Sequence, residues 1–306
     1  MEYIKGLDKY EDSAESAITL GKFDGLHRGH QKLVNKVCAL KKEYGVKSIV
    51  CAFDMLPLKE KLGLPVKELM TNKERKDFLE GKVDSLVVCP FTEAISKMSA
   101  EDFIKNILCN LFHAKFIVVG TDFCFGYEKR GNIQMLKEYA DIYGYELFVI
   151  EKEEFEHRDI SSSFIREELQ NGNIPYVNEM LGYPYSIKGI VEHGKKLGRT
   201  LGFPTMNVSP TREKLLPPNG VYFVKIKVDE RWYYGIGNIG TKPTVSDEER
   251  VLMECNLFDY QGDAYGKSVE IQIFQYERPE KKFDSVEELK AQIGLDINNA
   301  KNYFSS

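Results

Sequence analysis

Along the first half of the chain, short apolar runs alternate with stretches of helical spacing. "AITLG" (17–21), "KSIVCAF" (47–53), "DSLVVCPF" (84–91), "AKFIVVG" (114–120) and "YELFVIE" (145–151) read as strands. Between the first two, residues 29–44 place Leu33, Val34, Val37, Cys38, Ala39 and Leu40 at helical spacing. "SAEDFIKNILCNLF" (99–112) is a helix opened by Ser99 with Asp102 three residues on, a capping box with Asp in place of Glu. A further helix falls near 132–143. Strands alternating with helices predict a doubly wound parallel sheet with helices on both faces.

After "SSSFIREELQNGNIPYVNEMLGYP" the pattern changes. From about 184 the apolar runs are short and alternating, as in "YSIKGIVEHG", "GVYFVKIKVD", "RWYYGIGNIG", "VLMECNLFDY" and "SVEIQIFQYE", with Gly, Pro and Asp between them. Alternation of this kind predicts antiparallel strands, here an antiparallel β-barrel. A terminal helix follows. Ser285 and Glu288 cap it, and Val286, Leu289, Ile293, Ile297, Ala300 and Phe304 form one apolar stripe. Gly294 and Asp296 mark a candidate break within it. The boundary falls near Gly182–Pro184, giving domains 1–183 and 184–306.

The 306 residues suffice for two ordinary domains, and 42% hydrophobic with 29% charged is a globular balance. A net charge of −5 argues against a general nucleic-acid binder but leaves room for a local basic pocket. The six cysteines are scattered without a C-x-x-C pair, which fits free thiols in a reducing compartment. The acidic, polar start does not read as a secretory signal, and no apolar run reaches the ~18 residues of a membrane span. These features predict a cytoplasmic protein with no nucleic-acid or membrane partner. They do not fix an oligomeric state.

The loop after the first strand, "GKFDGLHRGH" (21–30), carries the densest chemistry. In a parallel sheet, ligands bind beyond the carboxyl ends of the strands. Gly21 and Gly25 allow tight turns, and Gly29 lies where the next helix begins, where backbone N–H groups favour anions. His27 and His30 are three residues apart, on one face of a helical first turn, and can donate to phosphate oxygens. A zinc pair would want a third ligand nearby, which the segment lacks. A bare H-x-x-H is also compatible with a purely structural role. The glycine spacing matches neither G-x-G-x-x-G nor the Walker loop. Downstream, Ser161, Ser162 and Ser163 are natural helix caps. Ser162 and Ser163, with Arg166, offer donors to a polyphosphate.

The motifs together carry a resemblance. G-x-F-D-G-x-H-x-G-H, then "VVGTDFCFGYEKRG" (118–131), then "ISSSFIR" (160–166), resembles the nucleotidyltransferase half of the bacterial bifunctional riboflavin kinase/FAD synthetases. That half is Rossmann-like. "GIVEHGKKLGRTLGFPTMNV" (189–208), with "FPTMN" in place of the family's F-P-T-A-N, resembles the kinase half, as do "MECNLF" and the segments around them. The resemblance spans roughly residues 15–304 and implies two reactions. ATP phosphorylates riboflavin to FMN in the second domain. A second ATP adenylylates FMN to FAD in the first, releasing pyrophosphate. Mg²⁺ accompanies the ATP, and flavin is substrate and product rather than a redox cofactor.

The residues carried over are as follows. Gly21, Phe23, Asp24, Gly25, His27, His30, Asp122, Ser162, Ser163 and Arg166 fall to ATP in the first domain, with His27, His30 and Arg166 as the catalytic set. Asp24 is expected to fix the loop rather than act as a base, and Asp122 either to touch a ligand or to cap its loop. Gly189, Gly194, Lys195, Gly198 and Arg199 fall to ATP in the second domain, and Thr205 and Asn207 to the metal. Phe53, Phe125, Asn207, Glu254 and Arg278 fall to flavin, Glu254 also being the expected base on an inward strand position. Where the family has F-x-P-H-P the chain reads "FDMLP" (53–57), without the histidine, and Asn256 replaces an aromatic residue or histidine. Two alternatives stay open: a riboflavin kinase with weakened or lost adenylyl transfer, and a flavin- or nucleotide-binding regulator. The lone Trp232 is expected to pack rather than to stack on flavin.

Overall fold

The computed structural model describes residues 1–193, 203–243 and 249–305. It divides into two compact units, Met1–Ser162 and Ser163–Ser306.

The first unit is built on β1 (Glu2–Lys5), β2 (Ser16–Gly21), β3 (Lys47–Asp54), β4 (Ser85–Pro90), β5 (Ala114–Gly120) and β6 (Glu146–Ile150). They form one sheet in the order β1-β4-β3-β2-β5-β6, and every pair is parallel. The sequence pattern does not reveal β1. Four residues, "EYIK", exposed at both ends and half-buried between, pair along the edge of β4 and offer no apolar run. Strand β2 has β3 on one side and β5 on the other, so the chain order reverses there. The crevice above its carboxyl end is the place where such sheets bind ligands.

Helix α1 (Arg28–Tyr44) follows that end directly and buries Leu33, Val34, Val37 and Leu40 over β2, β3 and β5. Each such side chain contributes about 1.5–3 kcal/mol on burial. Gly45, at φ 73°, closes the helix by donating its N–H to the Lys41 carbonyl at 2.9 Å. Helices α2 (Leu56–Lys61), α3 (Asn72–Leu79), α4 (Glu93–Ser96), α5 (Ala100–Asp102) and α6 (Ile133–Tyr143) complete the unit, with the small hairpin β7 (Glu154–Phe155) and β8 (Arg158–Asp159). Ser99 caps α5 as its position predicts: its Oγ accepts the Asp102 N–H at 3.0 Å and donates to the Asp102 carboxylate at 2.8 Å. Beyond Asp102 the helix continues as a π-helix over Phe103–Leu111.

Helix α7 (Ser162–Gln170) begins at the last residue of the first unit. The second unit continues with α8 (Ile174–Leu181) and then β9 (Tyr185–Glu192), β10 (Met206–Pro210), β11 (Gly220–Val228), β12 (Arg231–Pro243), β13 (Glu249–Leu257) and β14 (Ser268–Arg278). These strands close into an antiparallel barrel in the order β10-β13-β12-β11-β14-β9. Closure pairs each described barrel strand on both sides.

Helix α9 (Val286–Ser305) lies on the outside of the barrel, where Ile293, Ile297, Ala300 and Phe304 pack on Val221, Phe223 and Ile236. It runs unbroken through Gly294 and Asp296, the candidate break. Asp296 is held instead by a buried ion pair: the Arg278 guanidinium reaches it at 2.7 and 2.9 Å, and Gln292 donates to it at 2.9 Å. Val286, the first position of the expected stripe, is exposed. The fold class is the one the patterning predicts: a parallel α/β sheet, then an antiparallel barrel with a terminal helix. All six cysteines are free, with Cys51, Cys89 and Cys255 buried and Cys124 exposed.

Candidate active sites

The loop "GKFDGLHRGH" joins β2 to α1 through an unusual backbone. Phe23, Gly25 and Leu26 all have positive φ, at 46°, 87° and 37°. Glycine takes this conformation freely; Phe and Leu do so only when their surroundings force it. Here both side chains are fully buried, and the loop is tied from three directions. The Asp24 carboxylate accepts the backbone N–H groups of Leu69 at 2.8 Å and Met70 at 3.3 Å. Buried Arg75 donates from Nε to the Phe23 carbonyl at 3.3 Å. Ser162 Oγ donates to the Asp24 carbonyl at 2.8 Å. Asp24 thus fixes the loop, and the first serine of α7 meets it. Ser163 and Arg166 follow on the same helix.

His27 caps α1, its Nδ1 accepting the His30 N–H at 3.4 Å, and the two imidazoles stack at 3.7 Å. That bond leaves the proton of a neutral His27 on Nε2. Burial pulls the His27 pKa down to about 4 against the opposing pull of Asp24, Asp122 and Glu153. His30 is held well below its ordinary value by burial, then by His27 and Arg75. Both rings are therefore neutral donors at pH 7. His30 Nδ1 is buried without a partner, a polar atom left for a ligand.

At the rim of this loop lies a set of ion pairs. Glu153 binds both Arg28 and, at 3.3 Å, Lys32, which are one turn apart on α1. Lys152 binds Asp122 and Asp159, each at 3.1 Å. Asp122 is largely exposed. Phe53 and Phe125, the two phenylalanines expected at flavin, are joined through Phe103, at 6.3 and 5.4 Å. Phe91 and Phe123 extend this aromatic cluster. Phe125 lies against Gly131, where an added Cβ would meet its ring at 2.6 Å. In the altered segment, Pro57 lies in the first turn of α2, and Asp54 accepts the Leu56 N–H at 2.9 Å and Asn72 Nδ2 at 3.0 Å.

Sequence reasoning passed over Arg75 and Glu68, both buried in this region. Glu68 leaves Oε2 without a partner, and burial pushes its carboxyl up to about 7, with Arg75 opposing. The signal for α3, which carries Arg75, was present in Thr71-x-x-Glu74. Thr71 Oγ1 accepts the Glu74 N–H at 3.2 Å, and Glu74 accepts the Thr71 N–H at 2.8 Å.

In the barrel, register settles which way the side chains point. Val208, Met253 and Ile239 are opposite one another across three strands and are buried inside. Their neighbours Asn207, Glu254 and Asn238, also mutually opposite, therefore share the outer face. Glu254 is thus outward, not inward as expected: the interior is filled by Met253 and Cys255 on either side of it. Met206 pairs with buried Cys255 and takes the inner face, so its bulk is directed away from Asn207 and Glu254. Asn207 Oδ1 is buried without a partner. Thr205 immediately precedes β10, and Asn256, on the same face as Glu254, donates to the Pro204 carbonyl at 2.8 Å. The substituted Asn256 therefore anchors the "FPTMN" segment. Asn238 donates to Glu280 at 3.0 Å, bringing a second carboxylate to this face.

Other expected residues have different settings. Gly189 is in the barrel wall, where a Cβ would meet the Ser209 carbonyl at 2.4 Å, so strand contact alone requires glycine. Arg278 is engaged by Asp296 and holds α9 to β14. Gly194, Lys195, Gly198 and Arg199 lie outside the described residues. Trp232 does not pack as expected. It is 43% exposed and, with Tyr234, Phe258, Lys301 and Phe304, lines an open groove of about 370 Å³.

The first unit is thus a parallel α/β sheet with a loop at its switch point that leads into stacked His27 and His30. The second unit is a closed barrel in which Asn207, two residues after Thr205, is opposite Glu254. Comparison with known proteins gives the family. Residues 9–164 match the FAD synthetase family model and residues 181–304 the riboflavin kinase model. The chain is 38% identical to a bifunctional riboflavin kinase/FMN adenylyltransferase of Buchnera aphidicola, covering 100% of this chain and 99% of that one. It is 37% identical to the protein of that name in Bacillus subtilis, over 97% and 95%. A crystal structure described as a macrolide-efflux protein from Streptococcus pneumoniae superposes with a TM-score of 0.87 at 29% identity, over 97% of both chains. Among the described residues of the present chain, no helix is long and apolar enough to cross a membrane. The chain belongs to the bifunctional riboflavin kinase/FMN adenylyltransferase family.

Proposed function

We infer that this chain makes both flavin nucleotides: residues 184–306 phosphorylate riboflavin to FMN, and residues 1–183 adenylylate FMN to FAD. The observation that carries the reading is that each candidate site holds a buried polar atom without a partner, beside an imidazole and a helix N-terminus in the first unit and beside carboxylates suited to a proton or a cation in the second. These are His30 Nδ1 in the first turn of α1 and Asn207 Oδ1 opposite Glu254 on the barrel.

In the kinase step the ribityl hydroxyl oxygen of riboflavin attacks the γ-phosphorus of ATP, and ADP leaves. Glu254 takes the hydroxyl proton. Asn207 Oδ1, a buried carbonyl oxygen lacking a partner, suits a hard cation, and Thr205 precedes it by two residues. These two residues would hold Mg²⁺, which when bound neutralises phosphate charge.

In the adenylyl step a phosphate oxygen of FMN attacks the α-phosphorus of ATP, and the bond to the β-phosphate oxygen breaks to release pyrophosphate. No covalent enzyme intermediate is needed, so positioning and charge stabilisation do the catalysis. His27 and His30 donate to phosphate oxygens, the α1 N-terminus adds its amides, and Ser162, Ser163 and Arg166 serve the leaving pyrophosphate. The half-exposed Phe53 and Phe123, backed by Phe125, offer a wall for the flavin ring. The substrates are riboflavin, FMN and ATP. The free thiols fit the cytoplasm.

Two substitutions test the division of labour. Glu254→Gln should lower FMN formation by about 10²–10⁴-fold while FAD still forms from supplied FMN. His30→Ala should lower FAD formation by about 10²–10³-fold and spare the kinase. Equal loss of both steps in either variant contradicts the assignment.

A further inference from the structure

Arg28 and Lys32 have no part in the assignment so far, yet they occupy the first two turns of α1, directly after His27. Their spacing of four puts both on one face of the helix. Both are held by a single carboxylate, Glu153, with Lys32 at 3.3 Å. Glu153 lies beside the cradle: its charge acts on His27. Its carbonyl accepts the Ile160 N–H at 2.7 Å, two residues before the serine that meets Asp24. The carboxylate is only 19% exposed, whereas Arg28 and Lys32 are 35% and 45% exposed. The cations therefore retain access to solvent while their counter-ion is largely withdrawn from it. Arg28 and Lys32 hold the Glu153 carboxyl below its usual range against the opposing effect of burial.

We propose that Arg28 and Lys32 are further polyphosphate-binding cations of the adenylyl site, and that Glu153 is their internal counter-ion, displaced by the incoming triphosphate. The inference rests on the adenylyl reading of the first unit. A guanidinium in the first turn of α1, directly after His27, and an ammonium one turn further on match the charge of a triphosphate or pyrophosphate. Without nucleotide, Glu153 keeps the pair oriented and neutralised. With nucleotide bound, phosphate oxygens replace the carboxylate, and on pyrophosphate release the carboxylate returns. Glu153 then weakens ground-state binding of ATP and pyrophosphate alike, and it is a positioning residue rather than a catalytic one.

The test uses the full chain with FMN supplied, so that only the adenylyl step consumes ATP. Glu153→Gln should lower the KM for ATP and the inhibition constant of pyrophosphate together, by roughly three- to tenfold, the range expected for releasing two partly exposed ion pairs. The difference should shrink as salt rises. Arg28→Gln with Lys32→Gln should raise both constants, and adding Glu153→Gln to that pair should then change neither. The kinase rate with riboflavin is the internal control and should not move. A merely structural Glu153 would instead lower the thermal midpoint and leave both constants unchanged or raised, which overturns the proposal. If wild-type protein forms no FAD at all, the adenylyl reading itself fails. If FAD forms and the constants do not fall in Glu153→Gln, only the counter-ion proposal fails. Should Glu153→Gln not fold, the Arg28/Lys32 variant decides alone: unchanged constants there refute the phosphate role.

Discussion

Glu68 is a carboxyl placed where a charge is costly. It is 7% exposed, one oxygen lacks a hydrogen-bond partner, and burial raises its pKa to about 7, with Arg75 opposing and Asp24 and Asp54 adding to the rise. The sign follows directly. A carboxyl whose folded pKa lies above its unfolded value binds more protons folded than unfolded between the two, so stability falls as pH rises from about 4.5 to 7. The loss is on the order of 3 kcal/mol once pH exceeds 7. Glu68→Gln should therefore raise the melting temperature of the first unit at pH 8 and give little gain at pH 4.5, measured by calorimetry on the full chain. An equal effect at both pH values would contradict this account. A buried acid of this kind is invisible in the sequence, where "KELM" looks like any solvated turn. Only the fold, by crossing this segment over Asp24 and Arg75, makes it conspicuous.

At the scale of elements, α9 shows what a single polar pair does. Arg278 on β14 and Asp296 on α9 meet through two guanidinium nitrogens, and Asp296 is 1% exposed. Removing one partner leaves the other charge buried and uncompensated, at about 3–5 kcal/mol. Arg278→Met should lower the unfolding midpoint accordingly, and adding Asp296→Leu should recover most of the loss. Trp232, the only tryptophan, lies in the second unit, so its fluorescence in urea reports that unit alone. A shift below about 1 kcal/mol for Arg278→Met would refute the role. Most elements were legible in advance because solid apolar runs and helical spacing survive any tertiary context: β2 to β6, α1 and the barrel strands β9 and β11 to β14 are examples, whereas β10, five residues with a proline at its end, was not. Strand β1 was not, since four residues, two exposed and two half-buried, carry no periodicity. The π-winding of Phe103–Leu111 was not either, since its apolar spacing reads like that of an α-helix. The face of Glu254 needed the β10–β13 register, because alternation gives two faces without saying which one is the interior.

At the scale of the whole molecule, the chain joins two phosphate chemistries in sequence. The barrel places a glutamate opposite Asn207 on its outer face; the parallel sheet holds a strained loop and two neutral imidazoles at its switch point. The product of the first is the acceptor of the second. The site residues named from sequence came in ordered motifs. Those the sequence left unseen, Arg75, Glu68 and the Glu153 ion pairs, are contributed by segments that only the fold brings to the loop. At the altered segment 53–57 the histidine is absent, but Phe53 keeps its place in the aromatic cluster with Phe91 and Phe103. The most direct measurement supplies the full-length protein with riboflavin, ATP and Mg²⁺ and follows FMN and FAD separately by chromatography. FMN should rise first and FAD should follow at its expense, with pyrophosphate formed in step with FAD. FMN accumulating to completion with no FAD and no pyrophosphate would contradict the account.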